Sequence, residues 1–167
     1  MIGGRGAGYV LLGLAGLLLV LAVTSSWSGA QRIRTRGGGA VEAAAAAFVT
    51  AYGTFDHRDQ GAYATRLIPL TAGPMRQALA EAEIVSDAAR LQRMIATHIE
   101  SVSVTALSKA EATALVTAVQ ERRWVDPVLA TAHQEDVRQR VICRLAEEGG
   151  RWLVIELRLH AEEPVRP

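Results

Sequence analysis

Hydrophobic positions divide this chain into three parts with different spacing. An unbroken apolar run comes first, spacings of three and four residues follow it, and strict alternation begins at about Ile99. Spacings of three and four place side chains on one face of a helix, whereas alternation places them on one face of a strand. The pattern therefore predicts a leading apolar helix, then about three amphipathic helices, then about four strands.

The apolar run over residues 9–29 predicts a membrane-spanning helix. It contains no charged residue, and a spanning helix needs about 20 mostly apolar residues. Tyr9 and Trp27 stand near its two ends, where aromatic side chains favour the membrane interface. We expect residues 1–8 to form a short tail before this single-pass anchor.

A cleaved secretory signal is the alternative interpretation of the same run. Arg5 gives the run a basic start, and the small residues at 28–30 suit cleavage before Gln31. The apolar core is longer than the roughly 7–15 residues usual for a signal, and this length favours a retained anchor.

The charges that flank the run bear on its orientation. Arg5 stands before it, and Arg32, Arg34 and Arg36 follow it. Counted strictly, these charges favour a cytoplasmic C-terminus, but a long downstream domain translocates largely regardless of them. With support from the resemblance given below, we expect a cell-membrane protein whose C-terminal domain is extracytoplasmic.

Residues 30–40 are predicted to form a flexible linker. Three consecutive glycines occupy 37–39, and such a run behaves as a flexible joint because glycine holds a helix poorly. The linker is expected to free the domain over 41–161 from the anchor, and residues 162–167 are expected to form a frayed tail.

Three helices are predicted in the first half of the domain. The first covers 40–55, where five apolar residues share one face and are interpreted as core: Val41, Ala45, Phe48, Tyr52 and Phe55. The second covers 61–67 and ends before Pro69, because proline disfavours helical geometry in the residue before it. The third opens at Gly73-Pro74, and a further helical turn is expected over 86–94.

The polar segment Asp56-His57-Arg58-Asp59 separates the first two helices. His57 and the carboxylates would suit a general base or half of a metal site, but no second cluster has the ligand spacing to complete such a site. The segment is therefore interpreted as a solvated turn in which Asp59 caps the next helix.

Alternation predicts four strands over 99–106, 113–124, 137–146 and 151–160. Gly149-Gly150 lies between the last two, and alternating runs around such a pair are typical of an antiparallel hairpin. Helices followed by strands predict an α+β fold with helices on one face of an antiparallel sheet. The side chains expected to face the core are Val141, Cys143, Leu153, Ile155 and Leu157.

Composition narrows the function classes. The formal net charge of +1 offers no broad basic surface for nucleic acid. Only 5% of the residues are aromatic, which predicts an aliphatic core. Cys143 is the single cysteine, so an internal disulfide is excluded and a buried thiol is expected. Neither a cofactor nor a metal is predicted.

Two segments together resemble a known superfamily. The stretch AAAAAFVTAYGTFDHRDQGAYATRLIPL over 43–70, followed by RQRVICRLAEEGGRWLVIEL over 138–157, is similar to nuclear-transport-factor-2-like (NTF2-like) proteins. The resemblance implies a cone in which a curved sheet wraps around N-terminal helices. Within the superfamily, the chain most resembles membrane-anchored proteins of bacterial conjugation and type IV secretion, of the VirB and TcpC-like kinds. Mce-associated membrane proteins of actinobacteria share the layout.

The resemblance implies a non-catalytic scaffold component of a cell-envelope complex, with other envelope proteins as partners and homo-oligomerisation left open. The alternatives are a module that binds a small apolar ligand, as in lipid uptake, and an enzyme with acid–base groups at the mouth of the cone. The titratable candidates are scattered along the chain, and the expected inward faces are apolar, so no catalytic residue is predicted. Those candidates are His57, Asp59, His98, His133 and His160.

Arg122-Arg123-Trp124 end the second predicted strand with two charges and a large ring. We predict an exposed partner contact there, since arginine and tryptophan are favoured at interface hot spots. The alternative is a tryptophan that covers the core while its arginines remain in solvent.

Overall fold

The computed structural model of the protein describes residues 37–81 and 87–165. The predicted tail, the predicted anchor with Tyr9 and Trp27, and most of the predicted linker lie outside the described residues. Among the helices that are described, none is both long enough and apolar enough to cross a bilayer.

Helices occupy the first half of the described chain, as predicted. They are α1 (Gly38–Gly53), α2 (Gln60–Leu67), α3 (Gly73–Glu81) and the single turn α4 (Asp87–Arg90), with 3₁₀ turns at His57–Asp59 and Ile68–Leu70. The first helix begins and ends two residues earlier than predicted, so Gly38 and Gly39 belong to α1 and not to the linker.

One antiparallel sheet follows, and its strands lie side by side in chain order. The strands are β1 (Phe55–Asp56), β2 (Met94–Leu107), β3 (Glu111–Val125), β4 (Ala132–Glu148) and β5 (Arg151–Pro164). The four long strands match the four predicted ones. The two-residue β1 was not predicted, because a strand this short shows no alternation.

Two strand boundaries correct the predictions. β2 begins at Met94 and not near Ile99, so the helical turn expected over 86–94 ends at Arg90. β5 continues to Pro164, and its last residues pair with 137–139 of β4. Residues 162–164 are therefore sheet and not part of a frayed tail.

The core lies between α1 and one face of the sheet, called here the core face. Val41, Ala45 and Phe48 of α1 are fully buried against Val116 and Leu145. Tyr52, predicted to be core, is 43% exposed and stacks on Phe48 with ring centroids 5.6 Å apart. Phe55 instead makes an edge contact with the ring of Tyr63.

A β-bulge changes which residues of β5 face the core. The pairing with β4 shifts register between Arg144 and Leu145, and one extra residue inverts the in-and-out alternation. Val154 therefore joins the core cluster, with Trp152 and Leu157 packed against it. Leu153 is buried but lies outside that cluster, and Ile155 is only partly buried and also lies outside it. The prediction that both share the inward face of β5 with Leu157 is therefore wrong. Leu157, Val141 and Cys143 are confirmed.

Candidate functional site

Along β3 the core face changes from apolar to polar. Successive residues of a strand point to opposite faces, and every second residue of β3 points to the core face. Near the start of β3 these residues are Ala112, Ala114 and Val116, all buried. Near its end they are Gln120, Arg122 and Trp124.

Neighbouring strands extend this polar region across the sheet. Thr97 of β2 pairs with Gln120, and Glu135 of β4 pairs with Arg122. Glu162 of β5 pairs with Gln139, which lies opposite Ala118 on the same face. We call this region the polar end of the core face: Thr97, Gln120, Arg122, Trp124, Glu135 and Glu162.

Arg122 is the centre of the polar end. Its Nε and Nη2 atoms donate to Gln120 Oε1 at 3.1 and 3.0 Å. Nη2 also donates to Glu162 Oε2 at 2.9 Å, and Nη1 donates to Glu162 Oε1 at 3.2 Å and to Glu135 Oε1 at 3.4 Å. One guanidinium thus joins three strands through charge-assisted hydrogen bonds, the stronger kind.

These bonds shift the protonation equilibria of the network. Burial lowers the pKa of Arg122, but its bonds and charge interactions with Glu162 and Glu135 outweigh burial and leave that pKa raised. Hydrogen bonds from Arg122, and then from Gln139, hold the pKa of Glu162 below its ordinary value. Arg122 and Glu162 are therefore both ionised near neutral pH.

Close packing with α1 limits the space beside the network. Gly53, the last residue of α1, is buried, and a Cβ atom there would overlap Thr97 Oγ1 and approach Gln120 Nε2 to 2.8 Å. Thr97 Oγ1 is itself buried and has no hydrogen-bond partner among the described residues. Glycine is thus required sterically where α1 meets the polar end.

A cavity of about 380 Å³ opens at the polar end. Six residues from the sheet and the approach to β2 line it: Arg93, Ile95, Gln120, Arg122, Trp124 and Glu135. The ring of Trp124 stacks on the ring of His133, its cross-strand neighbour on β4. The two ring centroids are 5.3 Å apart, and the ring planes are inclined by 13°. The site thus combines an aromatic ring, an aliphatic side chain and charged groups.

The three residues predicted as a partner contact lie on two faces of β3. Arg122 and Trp124 belong to the core face, and the side chain of Arg122 is only 23% exposed. Arg123 points to the opposite face, is 58% exposed and pairs with Glu121. A partner can therefore reach Arg123 directly, and the contact itself stays a prediction.

The polar segment between α1 and α2 forms a turn, as interpreted from the sequence, but Asp59 does not cap α2. Asp59 pairs instead with Arg66 at 3.0 Å. Asp56 caps the 3₁₀ turn at His57–Asp59, because its Oδ1 accepts from the backbone N of Arg58 at 2.9 Å. Hydrogen bonds from the Arg58 side chain and backbone lower the pKa of Asp56 to about 2.

The remaining titratable candidates lie apart along the sheet. His98, His133 and His160 are exposed, on β2, β4 and β5. His57 is partly buried, and its Nδ1 lies 3.6 Å from Asp56 and lacks a hydrogen bond among the described residues. Within 37–81 and 87–165, no group of three or more histidine, cysteine or acidic side chains is placed to hold a metal ion.

Sequence reasoning missed most of the polar end. Gln120, Thr97, Glu135 and Glu162 were not singled out, since each stands alone in a strand and the contacts among them depend on strand pairing. One signal was present: every second residue from Ala112 is small or apolar until Gln120 replaces it.

Comparison with known proteins identifies the fold. No protein-family model matches the sequence, and no curated protein matches it. An IcmL-like type IV secretion system protein from Legionella pneumophila aligns with a TM-score of 0.53 and 13% identity, over 79% of this chain and 94% of that chain. An NTF2-like protein involved in plasmid conjugation aligns with a TM-score of 0.51 and 12% identity, over 75% of this chain.

This chain covers 49% of the conjugation protein, so it spans about half of that protein's length. At these identities the likeness shows a common fold. Helices against a curled antiparallel sheet are consistent with the NTF2-like cone that the resemblance implied.

Proposed function

We propose that this protein is a non-catalytic assembly component of a cell-envelope complex of the type IV secretion or conjugation kind. The observation that carries the proposal is the fold shared with two proteins named for those systems. In this proposal, the apolar run over 9–29 anchors the chain and keeps the domain beside the membrane, outside the cytoplasm. Its partners are other proteins of the envelope complex.

The turn between β3 and β4, residues 126–131, supplies a surface for such contacts. Val128 is 86% exposed and Leu129 is 72% exposed, more than any other large apolar side chain in the described part of the chain. Adjacent apolar side chains in water are stabilised when a partner covers them. We therefore place a partner contact at Val128 and Leu129.

The backbone of this turn holds the two side chains in place. Asp126 Oδ1 accepts from the backbone N of Val128 at 2.8 Å and of Leu129 at 3.0 Å. The backbone N of Asp126 in turn donates to the carbonyl of Thr131 at 2.8 Å. A turn fixed before binding loses less conformational entropy when a partner docks.

The test compares surface variants of the full-length protein in its own host. Val128→Ser combined with Leu129→Ser should leave the protein folded but reduce co-purification of secretion or conjugation subunits of the host. Leu159→Ser is the matched control, because Leu159 is 56% exposed on β5, away from the turn. If the wild-type protein co-purifies with no such subunit after mild solubilisation, the assembly role is wrong.

A separate measurement tests the anchor. Because the run over 9–29 is long enough to span a bilayer, the full-length protein should stay with membranes during carbonate extraction. Release by carbonate, or a mature N-terminus at Gln31, would show that the run is a cleaved signal.

A further inference from the structure

We infer that the cavity at the polar end binds a small organic acid with an apolar body and one negative charge. The carboxylate of that acid pairs with Arg93, and its apolar body lies against Trp124 and Ile95. This site goes beyond the assembly role and does not depend on it, because its ligand is a small molecule.

The size and lining of the cavity suit such a ligand. Its volume of about 380 Å³ lies in the lower part of the range of about 300–1,000 Å³ that small-molecule sites occupy. Small-molecule sites combine apolar walls with a few placed polar groups, and here Trp124 and Ile95 supply the walls. The indole ring is already fixed by its stack on His133.

The charges of the lining favour an anion. Arg122 is satisfied within the protein, since its donors reach Gln120, Glu135 and Glu162. Glu135, the acidic residue of the lining, is engaged by that same arginine. Arg93 is an exposed residue of the lining and makes no ion pair with any residue in the part of the chain that the structure describes. One positive charge of the lining therefore lacks a counter-charge.

The Gln120 amide has a fixed orientation and is not free to bind a ligand. Gln120 Oε1 accepts two bonds from Arg122, at 3.1 and 3.0 Å, so the amide cannot turn its oxygen away without losing both. Its Nε2 lies on the side of Gly53 and Thr97, where α1 packs closely. Arg93 is therefore the donor of the lining that is left for a ligand, and a carboxylate accepts from a guanidinium whereas a cation does not.

The direct test is calorimetric titration of 2-naphthoate into the full-length protein in nanodiscs of zwitterionic lipid, with empty nanodiscs subtracted. Two further probes separate the contributions: 2-naphthalenemethanol keeps the body without the charge, and acetate keeps the charge without the body. We expect saturable binding of naphthoate. Binding should be on the order of tenfold weaker for 2-naphthalenemethanol, which loses one charge-assisted bond, and weaker still for acetate, which loses the contact with the apolar walls.

Variants then locate the charge. Arg93→Gln should weaken naphthoate binding by roughly tenfold and leave naphthalenemethanol binding unchanged. Arg140→Gln is the matched control, because Arg140 is exposed on β4, outside the cavity lining, and has no ion pair with any described residue. The Arg93 side chain makes no bond to any described residue, so its loss should not unfold the domain.

Three results would overturn the inference: no heat above that of empty nanodiscs, equal binding by Arg93→Gln and the wild type, or an alcohol that binds as tightly as the acid. None of them bears on assembly, and failure to co-purify envelope subunits would leave the naphthoate titration unchanged. The two proposals therefore fail separately.

Discussion

The two ends of the core face are built on the same strands but bury different chemistry. At one end, Phe48 of α1 packs with Ala114, Val116 and Leu145, and all four are fully buried. At the other end, Arg122 gathers two carboxylates and an amide beside a cavity. Strand alternation determines which residues face inward. Those residues are apolar where α1 covers them and polar where α1 does not.

The change from apolar to polar side chains along the core face coincides with the end of α1. Gly53 is the last residue of that helix and lies directly against Thr97 and Gln120. Where the helix covers the sheet, its apolar face excludes water and the strands supply apolar partners. Past Gly53, inward-facing groups such as Arg122 and Glu135 can be polar because they bond to one another and line the cavity.

Cys143 provides a stability probe for both ends. It is the chain's single cysteine and is buried, and burial raises the pKa of its thiol to about 12. The reactive thiolate is therefore rare in the folded domain. The extent of Cys143 alkylation as a function of denaturant concentration therefore reports unfolding of the domain in the full-length protein. The measurement does not depend on residues 9–29, because they contain no thiol.

The largest effect is expected at the apolar end. Phe48→Ala should lower the free energy of unfolding by about 3–5 kcal/mol, because it removes a buried ring and leaves a cavity. Tyr52→Ala, on the same helix but 43% exposed, should cost clearly less. Cys143 alkylation midpoints in the two variants measure the difference. Equal losses would show that α1 does not set the burial of this end.

An intermediate effect is expected at the boundary between the two ends. Gly53→Ala should cost about 1–3 kcal/mol, because the added methyl group overlaps Thr97 and forces α1 away from the sheet. Thr97→Ala in the same chain removes the overlapping oxygen and should restore part of the loss. If Gly53→Ala is neutral on its own, the close approach of α1 to the polar end is incorrect.

The smallest effect is expected at the polar end. Arg122→Met should lower the free energy of unfolding by about 1–2 kcal/mol at pH 7, because it leaves Glu135 and Glu162 without their charged partner. Glu135→Gln is a milder control, since its bond to Arg122 is the longest of the set at 3.4 Å. Alkylation midpoints again provide the measurement.

Arg122→Met should also change how the free energy of unfolding depends on pH. The folded-state pKa of Glu162 is lowered, so its contribution is present above the ordinary glutamate pKa and is lost as pH falls through the folded value. The difference in unfolding free energy between wild type and Arg122→Met should therefore stay constant from pH 7 down to the ordinary glutamate pKa and narrow as pH falls below it. A difference that does not narrow below that pKa would mean that the network does not stabilise the fold.

Strand centres and the α1 stripe could be predicted, because each follows from local periodicity. Val41, Ala45 and Phe48 are core, and the Gly149-Gly150 hairpin forms. The inward face of β5 could not be predicted, because the bulge beside Leu145 depends on pairing and leaves no local signal. The start of β2 was missed because 91–98 lacks clear alternation.

The polar end was harder to predict because its residues are far apart in the chain. Arg122 and Glu162 are separated by 40 positions and meet only when β3, β4 and β5 pair. Arg122, Arg123 and Trp124 were grouped by adjacency, whereas the pleat sends the middle residue to the opposite face. Residues that are adjacent in the sequence can form one surface in a turn, such as 126–131. Inside a strand, adjacent residues point to opposite faces and do not form one site.

The chain-order arrangement of the strands has a consequence for folding. Each long strand pairs with the next one along the chain, so the sheet can grow hairpin by hairpin with little loop-closure entropy. α1 is different, because it is made first and packs against Val154 of the last strand. During synthesis the face that carries Phe48 therefore stays only partly covered until β5 is available, and we expect nascent chains that end before Arg151 to be the form most prone to aggregation and proteolysis.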